Sequence, residues 1–123
     1  MKKKLIILCL IFIFFTPKNF AQTITATNIH HRIIENKIEI FYDLPNNRDT
    51  LDVQVFFHKK SNPKFVYQPK YVNGNIGVGV YFGANKKIVW QFKKEPAYLF
   101  TGSNFYFTIK AKRQNKSIQL LNK

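Results

Sequence analysis

The sequence predicts an all-β protein, an antiparallel two-sheet sandwich of about seven strands. Three observations predict it. Apolar residues recur at every second position along most of the chain, and strand side chains point to opposite faces in turn, so this spacing marks half-buried strands. β-Branched and aromatic residues dominate those stretches, as strands favour. Gly, Asn and Pro interrupt them at short, regular intervals. No window carries the stripe of an amphipathic helix.

The elements follow in order. A strand near 26–34 is joined through Glu35-Asn36-Lys37 to KIEIFYDL, 37–44, where Ile38, Ile40, Tyr42 and Leu44 share one face and Glu39, Phe41 and Asp43 the other. Pro45-Asn46-Asn47 ends it. In 51–59, Leu51, Val53, Val55 and Phe57 alternate with Asp52, Gln54, Phe56 and His58. Ser61-Asn62-Pro63 follows, then a strand at 65–72. Asn73-Gly74 and Gly83-Ala84-Asn85 bracket a short strand at 78–82. Ile88, Trp90 and Phe92 share a face of 86–93, which stops at Lys94-Glu95-Pro96. The last strand, 103–113, sets Phe105, Phe107, Ile109 and Ala111 against Tyr106, Thr108, Lys110 and Lys112. Seven short strands at this spacing are the pattern of an immunoglobulin or fibronectin-III sandwich.

The ends read differently. Met1–Lys4 carries three lysines, Leu5–Phe15 is an unbroken apolar run, and TPKNFAQ follows. This is the layout of a secretory signal peptide, residues 1–21, with cleavage expected after Ala21. The run is shorter than the roughly 20 residues a membrane span needs. Cys9, the single cysteine, leaves with it, so the domain at 22–113 is expected to hold no disulfide and no thiol. Residues 114–123 form a polar C-terminal tail.

Composition bounds the partners. The chain has 20 Lys+Arg against 6 Asp+Glu, a formal charge of +14, and losing Lys2, Lys3, Lys4 and Lys18 with the signal leaves +10. Such a charge attracts polyanions. Only Arg32, Arg48 and Arg113 are arginines, and arginine is the residue that grips phosphate with two parallel bonds. The lysines therefore read as a solvated coat rather than a specific nucleic-acid reader.

The order KIEIFYDL, LDVQVFF, YVNGNIGVGVYFGANKKIVWQF and NFYFTIKAK resembles an immunoglobulin-like β-sandwich module of exported bacterial proteins. Asn73-Gly74-Asn75-Ile76-Gly77, Gly79-Val80, Gly83, Asn85-Lys86, Ile88 and Trp90 carry the likeness, which covers about residues 28–113. It implies an accessory or interaction domain with no fixed catalytic role. The family's acidic, glycine-rich hairpin is replaced here by His58-Lys59-Lys60-Ser61-Asn62-Pro63-Lys64, so a cation or sugar role tied to that hairpin does not carry over.

Candidate sites are few. Gly74, Gly77 and Gly79 form G-x-x-G-x-G, the reverse of a dinucleotide fingerprint, and they open into a strand where that fingerprint needs a helix. With Gly83 they are expected to turn the chain and cross it between sheets. Trp90 is expected in the core. His30 and His31 are neighbours on a strand and face opposite ways, and His58 lies on another strand, so no metal is expected. Glu39 and Asp43 lie about 13 Å apart along one strand face, beyond the roughly 5–9.5 Å of a glycosidase pair. The chain is read as no enzyme, with no cofactor. Phe41, Phe56 and Tyr106 fall opposite the apolar set, and Phe56 and Tyr106 are expected on one outer sheet face near Lys110 and Lys112. Aromatics among cations suit a partner protein or an anionic glycan. The expectation is a periplasmic, surface or secreted module of the cell envelope that binds a protein, or alternatively lipopolysaccharide, acidic glycan or extracellular DNA.

Overall fold

A computed structural model describes residues 22–102 and 104–114. The expected signal at 1–21 and the tail beyond Gln114 lie outside the described residues. The chain forms two antiparallel sheets packed face to face, a β-sandwich. The first sheet holds β1 (Thr23–Ile24), β9 (Phe105–Arg113), β4 (Thr50–Lys59), β5 (Asn62–Tyr67) and β7 (Gly77–Val80). The second holds β2 (Thr27–Ile34), β3 (Lys37–Leu44), β8 (Gly83–Trp90) and β6 (Val72–Gly74). Among the described residues there are nine strands rather than about seven. β1 was not expected, and the single strand expected at 65–72 is two, one in each sheet.

The alternation read from the sequence becomes the core. Ile38, Ile40, Tyr42 and Leu44 of β3 face Leu51, Val53, Val55 and Phe57 of β4, and all are buried. Trp90 is fully buried, as expected, with its ring 5.3 Å from Phe57 and 5.5 Å from Phe100. Each such large side chain removed from water contributes about 1.5–3 kcal/mol.

β8 stops at Trp90, three residues earlier than the alternation implied. Phe92–Lys94 and Ala97–Phe100 form two 3-10 turns instead. The second swings Phe100 back onto Phe57 and Phe92, so it caps one end of the core.

The glycine stretch turns the sheet. β6 belongs to one sheet and β7 to the other, and the two residues between them carry the crossover. Gly74 has φ 105° and Gly77 φ 85°, values that L side chains resist. The Tyr42 hydroxyl donates to the Asn75 carbonyl at 2.5 Å, and the Lys87 amide donates to Asn75 Oδ1 at 2.8 Å, so the crossover is tied to the second sheet. Gly79 differs: it lies within β7, and the Tyr81 ring folds back over it to donate its hydroxyl to Ile76 O at 2.8 Å.

Candidate functional site: the outer face of the first sheet

β4 and β9 pair in unbroken register from Leu51↔Arg113 to Lys59↔Phe105. The pairing fixes who stands beside whom on the outer face: His58 with Tyr106, Phe56 with Thr108, Gln54 with Lys110, and Asp52 with Lys112. The structure therefore brings Phe56, Tyr106, Lys110 and Lys112 onto one face. Tyr106 is 38% exposed, Lys110 is exposed, and Phe56 and Lys112 are half-buried.

His58 joins the candidate set, which the sequence places at Phe56, Tyr106, Lys110 and Lys112. Its ring stacks on Tyr106, with centroids 4.8 Å apart and planes 10° from parallel. His58 Nε2 and Thr108 Oγ1 share a hydrogen bond of 2.7 Å, the donor depending on the ring tautomer. Burial holds the imidazole below its ordinary pKa of 6.5. Strand parity alone puts His58 on the face of Phe56. The stack on Tyr106 needs the inter-strand register, which parity does not give. Val66 of β5 stands opposite His58 and extends the apolar end of the face, while Val78 of β7, 67% exposed, stands opposite Asp52 at the other end.

Phe41, the third outward aromatic, lies on the other sheet. His30 stacks on it at 5.1 Å, and the Arg32 guanidinium sits 5.5 Å from its centroid. Acids gather on that side. Glu39 pairs with Arg32 at 2.6 Å and with Lys87 at 3.5 Å. Asp43 accepts the Asn85 amide at 2.8 Å, and Glu35 sits in the β2–β3 hairpin. On the first sheet Asp49 is taken by Arg113 at 2.7 Å. Among the described residues no carboxylate lies within salt-bridge distance of Lys110 or Lys112. Asp52, opposite Lys112, is the acid of this face, which otherwise carries Lys110 and Lys112 beside the aromatics.

His31 faces inward and stacks on Phe105 at 5.1 Å, so it and His30 point apart. Among the described residues no three His, Cys, Asp or Glu side chains converge as a metal site would need. No helix there is long and apolar enough to cross a membrane. A depression of about 510 Å³ is lined by Asn46, Asn47, Arg48 and Phe82, which supply no acid–base pair. No protein-family model, curated protein or solved structure matches this chain.

Proposed function

We propose that this chain is an exported, non-catalytic accessory module of a bacterial cell envelope, of immunoglobulin-like type, that docks a protein partner through the outer face of its first sheet. The observation that carries the reading is the His58–Tyr106 stack beside Phe56, bordered by Lys110 and Lys112, which no carboxylate of the described residues pairs. A stacked pair is rigid, so docking on it costs little side-chain entropy. Aromatic anchors ringed by polar groups are the parts from which interface hot spots are made. The test is capture from the native host after cross-linking. The wild-type chain should retain a stoichiometric protein that the Phe56→Ala, Tyr106→Ala double variant, folded but lacking both rings, loses. Equal retention by both removes the face.

The second reading is an anionic envelope polymer held by the lysine coat. It is favoured by the number of cations, among them Lys60, Lys64, Lys70 and Lys93, that no carboxylate in the described residues neutralises. It predicts binding that falls steeply with salt.

A further inference from the structure

We propose that the vacant edge of β9, Phe105–Lys110, accepts an extended acidic strand from a protein partner, which adds to the first sheet in line with β1. The inference rests on the reading that the domain docks a protein, and it names the kind of segment that protein presents.

β1 covers only the far end of that edge, through Thr23↔Lys112 and Ile24↔Ala111. Among the described residues no strand pairs with the rest. On an uncovered edge every second residue turns its N–H and C=O outward, a template for another strand. Natural sheets block such edges with proline, bulges, very short strands or charged side chains, lysine above all, and Lys110 is the one such device on 105–110. β5, on the opposite edge, carries Pro63 next to Lys64, and β6 is three residues long. β9 runs nine residues with neither proline nor bulge.

The side chains on this flank are also half-covered. β2 and β9 lie along the same open side of the sandwich, where His31 meets Phe105 and Phe107 at 5.1 and 5.2 Å. Ile29, His31, Phe105 and Ile109 are only partly buried. Ile33 pairs with the core residue Ile38 and so faces inward, yet it is 57% exposed. The other flank is closed by the β5–β6–β7 crossovers. An added strand would lay its inward apolar side chains against Ile33 and Phe105, and its outward ones beside Tyr106, Thr108 and Lys110.

Charge selects the occupant. Neither β2 nor β9 contains an acid. A second copy offering either edge brings Arg32 or Lys110 and no acid to a strand that already carries Lys110, so the two edges repel and gain no ion pair. Residues 115–123 bring Lys116 and Lys123 and no acid. A strand with apolar and acidic residues in alternation meets both requirements, and the same lysines that admit it reject the chain's own copies.

The probes are two synthetic peptides, one alternating Val and Glu, the other Val and Lys, added to the full exported chain. Amide exchange over residues 105–110 is read by NMR. The Val/Glu peptide should slow exchange of the outward amides and bind about ten-fold or more tighter than Val/Lys, a gap of about 1.4 kcal/mol. Lys110→Glu should invert that preference. Equal or absent protection by the two peptides overturns the proposal. So does protection of 105–110 without peptide, which would mean a second copy or the chain's own tail already holds the edge. Phe56→Ala leaves the edge intact, so loss of partner capture in that variant and loss of peptide binding report on the two readings separately.

Discussion

Trp90 donates its indole N–H to Glu95 Oε2 at 3.0 Å, in the interior of the protein. Glu95 is the one charged residue buried among the described residues, 7% exposed, and its carboxylate also accepts the Tyr67 hydroxyl at 2.5 Å and the Lys70 and Tyr71 amides at 2.7 and 3.1 Å. One side chain therefore satisfies four donors from three segments. It fixes the turn after β8, the connection between β5 and β6, and the rotamer of the core tryptophan.

Glu95→Ala leaves those four donors unpaired in a site that water enters poorly. The expected loss is about 3 kcal/mol or more, since several donors are stranded at about 1–3 kcal/mol each. Glu95→Gln keeps the shape and one acceptor oxygen and should cost about 1–3 kcal/mol. Urea unfolding measures both.

Acid should destabilise the domain in two stages. Burial holds His58 below its ordinary pKa, and burial with the neighbouring His30 charge does the same to His31. The unfolded chain then binds protons that the folded one refuses, so stability falls as pH drops below about 6.5. At Glu95, burial is the largest influence and pushes the carboxyl up, but the hydrogen bonds from Tyr67, Trp90, Lys70 and Tyr71 together hold it below its ordinary 4.5. Its contribution is present above that value and is lost as pH falls through the lower, folded-state pKa. His58→Gln should shrink the first stage to the His31 part and Glu95→Gln should reduce the second, read as unfolding midpoints against pH.

Alkali acts on three phenols held above their ordinary value, Tyr42 and Tyr81 chiefly by burial and Tyr67 chiefly by its bond to Glu95. The Glu95 hydrogen bond, with burial and nearby charge, raises the Tyr67 phenol to about 12. Stability is full below the ordinary value near 10 and falls as pH rises toward 12. An ultraviolet phenolate titration should show Tyr67 ionising late in the folded protein, and Glu95→Gln should bring that step down.

The glycines separate by what a methyl group would meet. At Gly74 it would lie 2.5 Å from Lys87 O, a backbone atom, on top of φ 105°. At Gly77 nothing lies within 4 Å, and only φ 85° opposes it. Gly77→Ala should cost about 1–2 kcal/mol, the left-handed penalty alone, and Gly74→Ala clearly more. Glu35 runs the other way. It holds φ 54° in the β2–β3 hairpin, so Glu35→Gly should stabilise by up to about 1 kcal/mol. Thermal unfolding of the three variants ranks them.

The long strands were legible because their signal is local. β3, β4 and β9 alternate cleanly, so parity fixed their core faces and placed Phe56 and Tyr106 outward. The passage from Phe65 to Val72 was not legible. Its break into two strands depends on Glu95, which takes the amides of Lys70 and Tyr71 from more than 20 residues away in sequence. Phe92 kept the alternation going on paper while the chain had already curled to pack it on Phe100. β1 is two residues held by the end of β9 and by the burial of Ile24 in the core.

We propose that the aromatic face, not the lysine coat, holds the partner. The most direct test is retention of the captured partner as salt rises from about 0.1 M to about 1 M, where the Debye length shrinks from about 10 Å to about 3 Å. Retention that hardly changes in the wild type and is already lost at low salt in the Phe56→Ala, Tyr106→Ala variant is the predicted result. Release of bound material at moderate salt, equally from both proteins, would contradict the account and leave the charge as the function.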